Sequence, residues 1–422
     1  MKIKRFDQQA DKFFIYSLYA LSFGLPILIP YWHSVLVASV IVCWLFVRKP
    51  SGFISQIKSE RKMIMIFSGI FLINILGLSY TKNMGYGLSI IEGLVPLLVL
   101  PVIILTSQSQ ISITVARNII IAFIAGVLTL NLATLVFISY DFWDPKRLEA
   151  NLLVANNSVL NVHPIFLSLH ISFGFFFIAD SYFPLPITDR NKLGWILFSS
   201  IVLAVYLVWI NSRVGIFGFL MAFIFYVFYR FRNVKRVYGS IVFVLFIVFL
   251  LMIPFSRSRF LEAPIMLINQ PSGIEHRSSV TRNFSYRGDI YRCCLDIIKG
   301  PELLYGYGTG DFKDVLQECY NRKNYSWLSE EQLDSQNEYF AEIHRNGLLG
   351  LLLFLSVLVV PFSYAMEFKS PLFAVFIILF GITALFENVF NSQKGVTFFA
   401  LFCPLLYIYT KQNWKEKSAR PI

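Results

Sequence analysis

Hydrophobic and polar positions divide this chain into long apolar stretches joined by short polar connections. A helix needs roughly 17 to 25 mainly apolar residues to cross a bilayer. The pattern predicts twelve such segments, near 13–30, 32–47, 63–79, 88–106, 118–140, 164–183, 194–211, 213–229, 238–255, 346–366, 371–389 and 395–410. One charged interruption, from about Arg257 to Arg345, separates the ninth segment from the tenth.

The predicted fold class is an all-α integral membrane protein with about twelve transmembrane helices and a long loop between helices nine and ten. Residues 1–255 would hold helices one to nine, and residues 256–345 a periplasmic loop with short amphipathic helices. Residues 346–411 would hold helices ten to twelve, and residues 412–422 a cytoplasmic tail. We expect the first helix to be retained, since no clean small-x-small cleavage pattern follows it.

Composition agrees with this pattern, because 56% of the residues are hydrophobic and only 15% are charged. Of the 37 Lys and Arg residues, 21 fall in the connections on the side of the N-terminus, and five fall in the short connections opposite. Cytoplasmic connections are enriched in Lys and Arg, so both termini should be cytoplasmic and the long loop should lie on the opposite, outer side. The same bias accounts for most of the net charge of +12, and nothing indicates nucleic-acid binding.

Arg213 is the first of three polar features on the predicted outer side. It lies in the tight turn 211–215 and opens the eighth segment. A helix N-terminus favours anions, and a guanidinium group matches phosphate oxygens bidentately. Arg213 is therefore a candidate phosphate ligand, the alternative being an anchor at the membrane interface.

Arg287 is the second feature, in the stretch Ser285–Asp289 of the loop. The amphipathic segment Ile290–Ile298 follows, and we expect it to lie along the bilayer surface with Arg287 at its start. The alternative is an Arg–Asp pair in a solvated loop. Gly306, Gly308 and Gly310 would let a backbone approach a ligand or turn tightly, but no strand precedes them as a dinucleotide site requires.

The third feature precedes the tenth segment, where Ser335 and Glu338 have the spacing of a capping box and predict a helix start. On the same side, His163 precedes Pro164 and would serve either as a capping residue or as a proton acceptor. Cys293 or Cys294 could form a disulfide with Cys319, although neither pairing is favoured by the sequence. No cysteine spacing indicates a zinc site, and we expect no metal.

Taken in order, these residues resemble the O-antigen ligase and O-antigen polymerase family of bacterial polytopic glycosyltransferases. The resemblance is carried by Tyr80–Asn83 with Pro96 and Pro101, His163–Ser168, Ser212–Gly215, Arg287 before Gly306–Gly310, Gln336–Tyr339 before Asn346–Gly350, and Phe386–Asn388 with Gln393–Gly395.

The resemblance implies a multi-pass enzyme of the bacterial inner membrane that transfers a glycan from undecaprenyl diphosphate to an acceptor hydroxyl on the periplasmic side. Neither a nucleotide sugar, a cofactor nor a metal is implied. The acceptor would be the lipid A core in a ligase and a second lipid-linked glycan in a polymerase. The implied partners are these two substrates and membrane lipids.

The resemblance also implies roles for individual residues. Arg213 and Arg287 would bind the diphosphate and stabilise the charge of the leaving group. The implied catalytic residues are Arg213, Arg287, Gln336, Glu338 and His163, and the implied substrate-binding residues are Arg213, Arg287, Asn337, Lys82, Gly308 and Gly310. Arg287 would face Arg213 across a headgroup cavity, closed by the helix that begins at Ser335.

One position departs from the family, which often has His-Asn where this chain has Gln336-Asn337. A neutral amide cannot act as a base near neutral pH. Gln336 could orient the acceptor while Glu338 or His163 takes the proton, the diphosphate could leave without such help, or the activity could be lost or changed. His344 is eight residues further along the helix and too distant to replace the missing base.

Four other functions remain open, one of which is the glycosylation of a protein acceptor by a member of the same family. A polymerase of the same family would extend a lipid-linked glycan. A transporter or flippase of lipid-linked sugars would be expected to show internal repeats and polar sites at the membrane midplane, whereas here the polar residues gather at the outer surface. A membrane scaffold without activity would not need the outer arginines.

Overall fold

The structure is a computed structural model that describes residues 2–27, 30–47, 50–141, 163–182, 190–210, 212–230 and 279–418. Within these ranges the regular elements are helices. They are α1 Lys2–Ile27, α2 Pro30–Val47, α3 Pro50–Gly77, α4 Met84–Thr106, α5 Ile113–Asp141, α6 Pro164–Tyr182, α7 Arg190–Ile210, α8 Arg213–Arg230, α9 Ser279–Ile297, α10 Glu302–Tyr305, α11 Phe312–Arg322, α12 Ser326–Glu330, α13 Glu338–Glu367, α14 Pro371–Ala384 and α15 Gln393–Ser418. Two 3₁₀ turns, Leu78–Tyr80 and Val389–Asn391, complete the described elements.

Six of the described helices are long and apolar enough to cross a membrane. These spans are Gly52–Tyr80, Met84–Thr106, Ile113–Thr134, Pro164–Ser181, Arg213–Arg230 and Glu338–Glu367. Shorter apolar helices occupy Tyr31–Val47, Phe198–Ile210 and Pro371–Ala384. The prediction of an α-helical membrane protein is confirmed. The predicted segment 238–255 lies outside the described residues, and the total of twelve spans stays a prediction.

Helix α15 lies in the middle of the bundle and supplies much of its core. The ring of Phe398 lies 5.5 Å from that of Phe123 on α5, 5.6 Å from Phe173 on α6 and 5.4 Å from Phe376 on α14. A helix that is apolar around its whole circumference is covered either by lipid or by other helices, and here other helices cover it. This packing fixes where α15 begins, and therefore where the connection before it lies.

The described part of the loop, helices α9 to α12, has a small core of its own. Ile290, Cys294 and Ile297 on α9 are buried against α11, α12 and the start of α13. Cys293 forms a disulfide with Cys319 on α11, the pairing that the sequence did not favour. The prediction that the apolar face of α9 lies on the bilayer is wrong, because this face is covered by protein.

Helix α9 also begins earlier than predicted. Its first residue is Ser279, so Arg287 lies in the interior of the helix and not at its start. Any role of Arg287 in anion binding therefore depends on its own guanidinium group and its neighbours. The free N–H groups of a helix N-terminus do not contribute there.

Candidate active site

The connection between α14 and α15, residues 385–392, joins most of the candidate site residues. The Asn388 side-chain oxygen Oδ1 accepts hydrogen bonds from the Asn337 backbone N–H, at 2.6 Å, and from Ser335 Oγ, at 3.0 Å. Asn337 Nδ2 donates to the Leu385 carbonyl oxygen at 3.0 Å. The start of α13 is thus fastened to this connection by three hydrogen bonds.

The start of α13 differs from the predicted capping box. The N-cap is Asn337, whose side-chain oxygen accepts from the Phe340 N–H at 3.1 Å, while Ser335 bonds elsewhere. Glu338 does not bond back to the backbone N–H of Ser335. Its Oε2 accepts from the Phe390 N–H at 2.9 Å, across the connection. The capping-box prediction is wrong because Asn337, two residues after Ser335, takes the capping role.

A buried ionic network continues from Glu338 along α13. Arg345 Nη1 lies 3.6 Å from Glu338 Oε1 and 3.4 Å from Glu342 Oε1, and all three side chains are at most 1% exposed. Arg345 also donates to the Asn391 side-chain oxygen in the connection. Buried charges are tolerated only when they are paired and hydrogen-bonded. Glu338 therefore faces the protein interior.

His344 lies in the same part of α13 and is buried. Its Nε2 lies 2.8 Å from the Cys294 carbonyl oxygen, and its Nδ1 contacts the Phe340 carbonyl oxygen. The ring stacks on Phe312 at 4.7 Å. Both ring nitrogens are engaged by backbone carbonyls, which is consistent with the expectation that His344 does not replace the missing base.

Gln336 precedes this network and has a left-handed backbone with φ of 44°. Its N–H donates to Asp334 Oδ1 at 3.1 Å. Its side-chain oxygen Oε1 is buried and has no hydrogen-bond partner among the described residues. A non-glycine residue with positive φ costs free energy and is held by its surroundings, here by Asp334 and by the bonds of Ser335 and Asn337.

His163 and Glu387 form the titratable pair of the site. His163 Nδ1 lies 3.8 Å from Glu387 Oε2, and the two side chains are 52% and 20% exposed. Burial, supported by the negative charge of Asp334, raises the pKa of Glu387 to about 7. Partial burial and the positive charge of Arg287 lower the pKa of His163 below its usual value. Near neutral pH the imidazole is thus neutral beside a carboxyl group that is partly ionised.

Arg287 is a cation whose charge acts on both His163 and Glu387. Its guanidinium carbon lies 6.0 Å from the centroid of the Phe386 ring, next to Glu387. At this distance the face of an aromatic ring attracts a cation. The positive charge of Arg287 also opposes the rise in the pKa of Glu387, so the two groups interact electrostatically.

Arg213 begins α8, and the first turn of this helix contacts the same connection. Ser212 caps the helix by accepting the Gly215 N–H at 3.1 Å. One turn after Arg213, the ring of Phe217 lies 6.5 Å from that of Phe386. A Cβ at Gly215 would overlap Ser168 on α6, so the first turn of α8 packs directly against the helix that follows His163.

Three groups that the sequence places far apart therefore gather beside Phe386, namely His163, Arg287 and Glu387, and the first turn of α8, which Arg213 begins, contacts Phe386 through Phe217. Residues 198–355 match the family model described as O-antigen ligase. The chain carries an O-antigen ligase domain.

The O-antigen ligase domain contains Arg213, Arg287 and Gln336, whereas His163 and Glu387 lie outside the matched residues. A search of the curated proteins finds no match to this chain. Glu387 was missing from the site residues proposed from sequence. Its only signal was its place in Phe386–Asn388, one of the stretches that carry the family resemblance.

Lys82, Gly308 and Gly310 lie in a second contact region, where the turn after α3 meets the O-antigen ligase domain. The Lys82 backbone N–H donates to both carboxylate oxygens of Asp311, at 3.0 and 2.8 Å, and its side chain is exposed. The Gly308 N–H donates to the Arg345 carbonyl oxygen at 3.0 Å, and the Gly310 N–H to Thr81 Oγ1 at 3.3 Å. The close backbone approach that these glycines permit is therefore to the protein itself.

Proposed function

We propose that this protein is an O-antigen ligase-like glycosyltransferase of the bacterial inner membrane. In this proposal it moves a glycan from undecaprenyl diphosphate to a hydroxyl group of the lipid A core at the periplasmic face. The observation that supports it best is the cluster of a guanidinium group, an imidazole and a carboxyl group beside Phe386, next to the helix that Arg213 begins, in a chain with an O-antigen ligase domain.

The arginines would bind the diphosphate. As the glycosidic bond breaks, negative charge develops on the leaving diphosphate, and cations placed there stabilise the transition state more than the bound substrate. Arg287 supplies a guanidinium group near Phe386. Arg213 adds a second guanidinium at a helix start, where backbone N–H groups also favour an anion.

The acceptor hydroxyl needs a proton acceptor, which Gln336 cannot supply. We assign this role to His163. An ionised Glu387 beside Nδ1 favours the tautomer that carries its proton on Nδ1, so that Nε2 keeps a lone pair for the acceptor proton. The distance of 3.8 Å between Nδ1 and Oε2 is longer than a hydrogen bond, and such contacts commonly tighten when substrate binds.

Gln336 would bind the acceptor sugar. A buried amide oxygen without a partner is costly, and an acceptor hydroxyl could donate to it. Asn337 and Glu338 would act indirectly, by holding the connection that carries Glu387. We do not include Lys82, Gly308 or Gly310 in the substrate site, because the contacts of their backbones are to other parts of the protein.

The test is glycan transfer from purified lipid-linked donor to lipid A core, with the protein in nanodiscs. Arg287→Ala should lower the transfer rate by about 10²- to 10³-fold, the usual effect of removing one group that stabilises developing charge. His163→Ala should lower it by about 10²- to 10⁴-fold, as expected for a lost general base.

Arg292→Ala is the matched control, since Arg292 lies on the same helix, is 72% exposed and pairs with Asp289 at 3.4 Å. It should leave the rate unchanged. Undiminished transfer by both Arg213→Ala and Arg287→Ala would refute the proposed roles. A ladder of repeat lengths on the lipid carrier, without transfer to lipid A core, would identify a polymerase instead.

A further inference from the structure

A short segment of the loop exposes large apolar side chains, which a loop surrounded by water would normally bury. This segment, Leu303–Tyr305 within α10, is called the loop wedge below. Leu304 is 64% exposed and Tyr305 51% exposed, and Leu303 is exposed as well. Three consecutive large apolar side chains on the surface of a loop usually mark a contact with another apolar phase or partner.

The loop wedge is attached to α13 at a break in that helix. Gly347 has a left-handed backbone with φ of 65°, and a Cβ there would overlap the backbone of Leu304. On the other side of the wedge, the Gly306 N–H donates to the Glu302 carbonyl oxygen at 2.7 Å, and the Tyr307 N–H donates to the His344 carbonyl oxygen at 2.7 Å. The wedge is therefore held at a fixed height along α13.

That height coincides with a change in the character of α13. Before Gly347 the helix carries the buried ionic network of Arg345. After it, large apolar side chains are exposed along one stripe, namely Leu348, Leu349, Leu352, Val359 and Met366. In a helix long and apolar enough to span a membrane, such a stripe faces lipid. The lipid-facing surface of α13 thus begins directly beside the loop wedge.

The exposed apolar surface of the neighbouring helix α3 ends at the same height as the lipid-facing surface of α13. Its exposed apolar side chains continue to Leu76, which is 63% exposed and lies one residue before the end of the helix. The Tyr80 hydroxyl then donates to the Tyr305 carbonyl oxygen at 2.6 Å, and the two rings meet edge to face at 6.1 Å. The wedge therefore lies between the ends of two lipid-facing stripes and is continuous with both.

The residues around the wedge suit the boundary between lipid and water. Tyrosine is enriched at membrane interfaces because its ring is apolar and its hydroxyl is polar. Lys299, four residues before the wedge, has a side chain that is 73% exposed and long enough to reach the headgroups. We propose that the loop wedge inserts among the acyl chains of the leaflet on the loop side and anchors the loop helices to the membrane.

This proposal is independent of the glycosyltransferase assignment and adds a membrane contact outside the spanning helices. The loop core itself is tied to the bundle at the connection 385–392. A second attachment through the wedge would fix the loop at both ends. The position of α9, and hence of Arg287, relative to the membrane surface would then be set by lipid as well as by protein contacts.

The test places a nitroxide spin label at Leu304→Cys in the full-length protein, reconstituted in phosphatidylethanolamine and phosphatidylglycerol vesicles. Collision rates with oxygen, which concentrates in lipid, and with a water-soluble nickel chelate give the depth of the label. Glu330→Cys, at an exposed polar site on α12, is the reference in water, and Leu352→Cys is the reference in lipid. Cys43 is changed to Ala, while Cys294 and Cys403 are fully buried and are left in place.

We expect a nickel collision rate at position 304 that is several-fold below that at position 330, with an oxygen collision rate close to that at position 352. Equal nickel collision rates at positions 304 and 330 would overturn the proposal, because the wedge would then lie in water. Low collision rates with both reagents would also overturn it, since they would mean that protein, such as a second copy of the chain, covers the wedge.

Discussion

Replacement of Arg345 by Met should strongly destabilise the protein and reduce its activity. Met has about the length and width of the arginine stem, so the main loss is the charge and its hydrogen bonds. The Glu338 and Glu342 carboxyl groups, both 0% exposed, would remain without the cation that lies 3.6 and 3.4 Å from them. The bond from Arg345 to Asn391 in the connection 385–392 would also disappear.

The magnitude follows from the burial of the network. Breaking a buried ion pair by removing one partner typically costs about 3 to 5 kcal/mol, because the remaining charge has lost its partner and cannot reach water. If the two carboxyl groups are made neutral as well, in the variant Glu338→Gln/Glu342→Gln/Arg345→Met, that charge is gone. We expect this triple variant to recover most of the loss and to unfold within about 2 kcal/mol of the wild type.

The assay is the free energy of unfolding in mixed micelles, measured for the wild type, Arg345→Met and the triple variant. Arg292→Met is the control, because the exposed pair of Arg292 and Asp289 should contribute no more than about 1 kcal/mol. The explanation is refuted if Arg345→Met is no less stable than Arg292→Met, or if the triple variant is less stable than Arg345→Met alone.

Three further predictions concern the site and the loop. Transfer should increase with pH through about 7 as Glu387 ionises, because its pKa is raised to about 7, and Glu387→Gln should abolish this increase. Gly347→Ala should cost at least about 1 kcal/mol of unfolding free energy, since φ is 65° and a Cβ would overlap the Leu304 backbone. Cys293→Ser should cost about 3 to 4 kcal/mol, the chain-entropy value for cysteines 26 residues apart.

Each of these predictions has a control. A pH profile that is unchanged in Glu387→Gln would exclude this carboxyl group as the titrating group. Gly288→Ala, where no atom lies within 4 Å of the new Cβ, should leave stability nearly unchanged, and an equal loss in both glycine variants would contradict the strain argument. Cys43→Ser keeps the Cys293–Cys319 disulfide and should lose stability in reductant as the wild type does, whereas Cys293→Ser should be insensitive to reductant. Equal sensitivity of the two variants to reductant would argue against a stabilising disulfide.

Several features of the fold followed from sequence because they depend on local composition. The apolar segments predicted at 88–106, 164–183 and 213–229 coincide closely with α4, α6 and α8. Helix length is set by the thickness of the membrane, and each segment must satisfy its own backbone hydrogen bonds, so a single segment carries its own signal. The family resemblance was confirmed for the same reason, since it depends on short local motifs.

The loop was predicted less well, because its helices are stabilised by one another. The spacing of Ile290, Cys294 and Ile297 correctly predicted the apolar face of α9. The prediction that lipid covers this face was wrong, because other loop helices cover it. An apolar stripe has the same sequence pattern whether lipid or protein covers it. The capping residue of α13 was predicted wrongly for a related reason. Ser335 has the spacing of a capping residue, yet its hydroxyl donates a hydrogen bond to Asn388, 53 residues away.

By itself, the sequence indicated an α-helical membrane protein and singled out Arg213, Arg287 and Gln336 as candidate site residues. Only the tertiary structure decided that Glu387 lies beside His163, that Glu338 faces a buried arginine, and that the glycines of 306–310 pack against the protein. The hydrophobic pattern of a single segment indicates whether that segment is surrounded by water or by an apolar environment. Pairings between segments depend on which helix covers which, and this follows from the packing of the whole bundle around α15.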